Sequence, residues 1–192
     1  MAGGFRTGTR PSFNLKFKLP FVDIEVIDIA GYAALRKGAP VAGPFMLVER
    51  ASGYALETDA RAQPFTRPVL GTAHGGLGQQ WGFRRPVSKS DEFTILSVVN
   101  GMALDATTVD ATVPAGNGAP LVLYEEHAKP WQRWETQPVP DGIGWMITSV
   151  HNGHVIDCTP VPQPGKELVW MWERNGLAHQ QFLILPIGRV PR

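Results

Sequence analysis

His151, His154 and His179, together with Cys158 and Asp157, supply the ligand types of a metal site in the last third of the chain. His151 and His154 flank the Asn152-Gly153 pair, however, and no two of these residues have zinc-finger or zinc-protease spacing. No metal is expected. Nor is there a glycine-framed serine or a phosphate-binding glycine loop, so acyl transfer and nucleotide hydrolysis both lack a candidate. The sequence points to a non-enzyme without a cofactor. The polar groups that do recur are three acids, each preceded by an aliphatic residue: Leu56-Glu57, Leu104-Asp105 and Ile156-Asp157. Their meaning depends on the elements that hold them.

Those elements repeat. Phe45, Phe93 and Trp145 each open a strand-like run, and eight residues after each comes a turn glycine, Gly53, Gly101 or Gly153. Ser-Gly or Asn-Gly between β-rich runs predicts a hairpin, because glycine accepts the positive φ of tight loops. Three residues beyond each glycine comes the aliphatic-acid pair, the aliphatic predicted to face the core and the acid to face out. A third apolar run follows at Val69-Leu70, Leu121 to Tyr124 and Val169 to Trp172. Gln79, Gln132 and Gln180 then each precede an aromatic by two positions: Trp81, Trp134 and Phe182. Four strands in three copies predict a closed all-β barrel of pseudo-threefold symmetry, with repeats at about 45–90, 91–142 and 143–188. The 21 glycines and 17 prolines suit many short strands joined by tight turns.

The three in-frame Gln-x-aromatic motifs and the hairpins before them resemble the ricin-B-type β-trefoil lectins, over roughly three quarters of the chain. The aromatics of the motif fill the barrel and the glutamine amides satisfy backbone groups at the strand turns, so the motif speaks for the fold first. The resemblance implies a shallow sugar pocket per repeat, built from an Asp after the second strand, an aromatic ending the third, and a polar residue just before the glutamine. In the first repeat these positions hold Glu57, Gly71 and Gly78, so two of the three parts are missing. The second has Asp105 and Tyr124, with Trp131 in the polar place before Gln132. The third is complete, with Asp157, Trp172, and His179 before Gln180, the histidine replacing the usual Asn. The third repeat is therefore the expected glycan site.

Residues 1–44 lie outside the repeat and read as a strand-rich arm ahead of the trefoil domain at 45–192. Phe13, Leu15, Phe17 and Leu19 alternate with Asn14, Lys16 and Lys18, and Val22, Ile24 and Val26 alternate with Asp23 and Glu25. The two runs read either as a paired basic and acidic strand or as one long kinked strand, since Leu19-Pro20-Phe21 contains no glycine for a tight turn. Residues 30–44 read as a connection, with one helical turn at Tyr32 to Arg36. Such an arm fits an oligomerisation or docking element, or a wrap around its own domain.

With 18 basic and 17 acidic residues the net charge is +1, which excludes steering towards nucleic acid. Met1 to Pro11 has no apolar run, and no stretch reaches membrane-spanning length, so a soluble protein without a secretory signal or membrane insertion is expected. The single cysteine, Cys158, leaves the compartment open. The expected function is non-catalytic carbohydrate binding, presented in several copies because one shallow pocket is weak. The alternative is a structural or interaction subunit of a larger assembly, such as a phage virion or injection apparatus, with degenerate sugar sites. A protease inhibitor is a third class, for which no exposed loop speaks.

Overall fold

The computed structural model describes residues 44–84, 92–106, 116–127, 129–158 and 169–187, and the backbone of two strands ahead of them. Those two, β1 (Leu15–Leu19) and β2 (Val22–Val26), pair antiparallel with Leu19 opposite Val22. Of the two forms left open by the sequence, the paired one is found. Its register sets Lys16 opposite Glu25 and Lys18 opposite Asp23, a charge match that favours cross-strand pairing even without a turn glycine. The expected helical turn at Tyr32 to Arg36 lies outside the described residues.

The first repeat comprises β3 (Phe45–Glu49), β4 (Tyr54–Glu57), β5 (Val69–Thr72) and β6 (Trp81–Arg84). The second comprises β7 (Thr94–Ser97), β8 (Ala103–Asp105), β9 (Ala119–Pro120), β10 (Val122–Tyr124) and β11 (Trp134–Pro138). The third comprises β12 (Trp145–Ser149), β13 (Val155–Cys158), β14 (Val169–Trp172) and β15 (Phe182–Pro186). In every repeat the aromatic at the start of the first strand, or just ahead of it in the second repeat, pairs with the aromatic that opens the last: Phe45 with Trp81, Phe93 with Trp134 and Trp145 with Phe182. Neighbouring repeats are stitched by β6–β7, β11–β12 and β15–β3. Six strands thus close into a ring with no free edge, and the hairpins β4–β5, β8–β10 and β13–β14 complete a β-trefoil.

These six aromatics are the centre of one core, together with Leu47, Leu56, Ile95, Leu104, Ile147 and Ile156. Gly53, Gly101 and Gly153 take φ of 77°, 75° and 74°, which is what makes the spacing from the opening aromatic invariant. The trefoil is also braced between repeats on its outside, where Arg50 bonds Gln181 and forms an ion pair with Asp141 at 2.8 Å. Among the described residues, no helix is long and apolar enough to cross a membrane.

Candidate functional site

Strand alternation puts the three acids on the face away from the barrel interior, but Asp105 and Asp157 do not reach solvent as the sequence suggests, while Glu57 is 31% exposed. The Asp105 side chain is 0% exposed and that of Asp157 only 11%. The cause is the fully buried signature glutamine. Gln180 donates through Nε2 to Asp157 Oδ2 at 2.8 Å and to the Glu173 carbonyl at 2.9 Å, while its Oε1 accepts the N–H groups of Asn175 and Gly176. Gln132 likewise donates to Asp105 at 2.9 Å and to the Glu125 carbonyl, and accepts from His127 N–H. Gln79 donates to Glu57 at 3.0 Å and to the Thr72 carbonyl, and accepts from His74 and Gly75. Each amide therefore fastens the turn after the third strand to the acid of the second, and Gln180 is spent on holding the pocket rather than facing it.

An imidazole stands against the acid in all three repeats, which the sequence reading saw only at His179. His74 Nε2 lies 3.5 Å from Glu57, His127 Nε2 3.3 Å from Asp105 and His179 Nε2 3.4 Å from Asp157. His74 and His127 sit five residues before the glutamine, and each accepts at Nδ1 a backbone N–H two residues on, from Gly76 and Lys129. At His74 that bond leaves Nε2 to donate towards Glu57, whereas His127 Nε2 also faces the indole N–H of Trp131. In the third repeat the same turn position is Asn175, whose Oδ1 caps Leu177 N–H, and the imidazole comes instead from the residue before Gln180. The common spacing of His74, His127 and Asn175 to the glutamine was the available signal.

The pockets differ in what surrounds this wiring. In the first, the longer Glu57 side chain occupies the ring's place: a Cβ at Gly71 would stand 2.0 Å from Glu57 Oε2, and one at Gly78 would stand 2.5 Å from the Thr58 carbonyl. The second is sealed. Trp131 Nε1 lies 3.2 Å from His127 Nε2, so the indole edge roofs the imidazole and the carboxylate behind it. Tyr124 packs beside them, 6.0 Å ring to ring from His127.

The third pocket combines a carboxylate that keeps a small exposed edge with an open ring. Register places Asp157 opposite Trp170 and Val155 opposite Trp172, so Asp157 and Trp172 are diagonal neighbours on one face. Trp172 is 41% exposed and rests beside Gly118 of the second repeat, whose position would bring a Cβ within 3.6 Å of the ring. Asn117 fixes that junction by accepting the Glu173 N–H at 2.6 Å, a contact between repeats that no local motif announces. Trp170, on the same face, is covered by the Arg67 guanidinium at 4.1 Å. Burial raises the Asp157 carboxyl above its ordinary pKa, opposed by the Gln180 amide and by His179. The arrangement offers a hydrogen-bond acceptor, an imidazole and an aromatic face, and no activated nucleophile. Among the described residues no group of acids, histidines and cysteine has the arrangement of a metal site.

The fold is a β-trefoil, and comparison with known proteins shows what it is similar to. Residues 77–168, just under half of the chain, match the family described as ricin-type beta-trefoil lectin domain-like. No curated protein matches the sequence. Among solved structures, the designed threefold-symmetric protein ThreeFoil superposes with a TM-score of 0.65 at 21% identity, over 74% of this chain and 98% of its own. The ricin B-like lectin of Macrolepiota procera, solved with lactose, gives 0.60 at 18% identity, over 77% and 99%. An exo-beta-1,3-galactanase from Clostridium thermocellum gives 0.65 at 22% identity, over 78% of this chain but only 31% of the enzyme. At these identities the likeness is one of fold.

Proposed function

We propose that the protein is a non-catalytic carbohydrate-binding module whose working pocket is that of the third repeat. One observation carries this: only there, among the described residues, does an acid held by the glutamine remain reachable beside an exposed aromatic ring. Asp157 accepts from vicinal hydroxyls, Trp172 stacks on the C–H face of the sugar and His179 completes the polar edge. The lactose complex of the Macrolepiota lectin supports a glycan ligand for this fold.

A glycan array probed with wild type, Asp157→Ala and Trp172→Ala tests it. Both variants are expected to lose at least tenfold in affinity for whichever glycan the wild type holds, and undiminished binding by both would reject the pocket. Acceptor chemistry needs the ionised carboxyl, and the raised Asp157 pKa brings protonation at a higher pH than for an ordinary aspartate. Binding should accordingly weaken on mild acidification, before other carboxylates titrate.

A single shallow pocket is weak, and the hairpin β1–β2 supplies a means of gathering copies or docking into a larger assembly. Deleting residues 1–44 should leave affinity for a soluble glycan unchanged while lowering solution mass and retention on a dense glycan surface. An unchanged mass and retention would confine the arm to its own domain.

A further inference from the structure

The turn Gln63-Pro64-Phe65-Thr66 contains the one non-glycine residue with positive φ among the described residues, Phe65 at 69°. Thr66 N–H closes the turn on the Gln63 carbonyl at 2.9 Å. With proline second and positive φ third, this is the type II pattern, whose third position ordinarily takes glycine. A bulky aromatic in that position is strained. Burial does not repay the strain, because Phe65 is 43% exposed. The turn is nevertheless held in place: Phe65 N–H donates to the Leu123 carbonyl, and Leu123 N–H to the Thr66 carbonyl, both at 2.8 Å. A loop of the first repeat thereby carries its ring to the third strand of the second.

There Phe65 meets Tyr124 with ring centroids 4.9 Å apart and planes inclined by 51°. Tyr124 leads on to His127 at 6.0 Å, His127 to Trp131 at 5.9 Å, and Trp131 to His151 of the third repeat at 5.5 Å. Trp131 meets both histidines edge-on, so in this series it is Phe65 and Tyr124 that adjoin with inclined faces, beside the spot where the second repeat's own acid is sealed. A pocket with no reachable carboxylate is poorly suited to one terminal sugar. Two adjoining aromatic rings suit neighbouring units of a chain, because each unit offers a C–H face and few polar contacts are required.

We propose that the second repeat binds the interior of an oligosaccharide chain, with Phe65 and Tyr124 as adjoining stacking positions, a proposal that rests on the protein being a carbohydrate binder. The third repeat then takes a short determinant and the second a longer stretch of chain.

The test uses the full chain, titrated with β-1,3-linked galacto-oligosaccharides and β-1,4-linked gluco- and xylo-oligosaccharides of one to six units. Wild-type affinity for at least one series should rise with length. Phe65→Ala should remove that gain, a loss of about five- to tenfold on the longest oligomer from one stacking contact. Phe65→Gly should lose the same gain while its Tm stays level or rises, because glycine relieves the backbone, and Phe65→Trp should keep it. Length-independent binding, absence of binding by all three series at millimolar concentration, or a gain that survives Phe65→Ala overturns the proposal. Tighter binding by Phe65→Ala also overturns it, since the ring would then be blocking Tyr124. Trp172→Ala separates the two pockets: it should abolish array binding of the short determinant and leave the length series intact. Failure of the third pocket would therefore be seen independently.

Discussion

Trp134→Ala is expected to lower the unfolding free energy by about 3–5 kcal/mol, read from the denaturant midpoint. Against a total of roughly 5–15 kcal/mol for a domain, that removes between a fifth and all of the stability. The residue is fully buried at the centre of the barrel. Its indole N–H bonds the Leu104 carbonyl at 3.2 Å, and its backbone exchanges hydrogen bonds with Phe93 at 2.8 and 3.0 Å. Truncation therefore opens a cavity where the second repeat closes the ring and leaves a buried carbonyl without its donor. Trp134→Phe divides these effects: the third repeat is built with Phe182 in the same place, so a loss of about 1–2 kcal/mol is expected. A Trp134→Ala protein within 1 kcal/mol of wild type would place this residue outside any shared core.

Gln180→Ala should have the second-largest effect, on stability and binding together. The amide satisfies four partners, so its removal orphans the Asp157 carboxylate, the Glu173 carbonyl and the Asn175 and Gly176 N–H groups. A loss of about 2–4 kcal/mol follows for a buried network broken at its hub. Glycan affinity of the third pocket should drop at least tenfold even though the amide is inaccessible, because Asp157 and the Asn175 turn are released at once. Gln79→Ala is the internal control, since its amide makes the same kind of bonds around a pocket whose ring position is filled by Glu57. It should cost similar stability and leave binding untouched. Parallel denaturation and glycan titration decide the matter: equal binding losses in both variants would mean that the amides act only through global stability.

The fold was legible wherever backbone geometry restricts residue type. Gly53, Gly101 and Gly153 must adopt positive φ, and the glutamines must reach an acid, a carbonyl and a turn N–H held in fixed places, so both recur at invariant spacing. The acids were legible as residues but not in their surroundings. Alternation tells which side of a sheet Asp105 occupies, yet only the tertiary contacts of Gln132 and His127 reveal that it is sealed there. The imidazoles were harder to read because they reach the acid from two different positions, His127 from the turn and His179 from beside the glutamine. Phe65 was invisible because a positive φ is normally announced by glycine, and Asn117 because its bond to Glu173 joins different repeats. In the arm, the backbone register sets the basic strand against the acidic one although no turn glycine announces the hairpin.

The pairing of Phe45 with Pro186, and of Ile187 N–H with the Pro44 carbonyl at 3.0 Å, brings the chain's entry to the barrel and its exit to a single point. Any polypeptide joined on either side thus emerges from one spot, so the unit can be spliced into a longer protein without separating its attachment points. The same geometry has a mechanical result. Tension between those two ends would pull at one end of the β3–β15 ladder and peel it a rung at a time, whereas tension between a bound ligand and one end alone would load the whole ring.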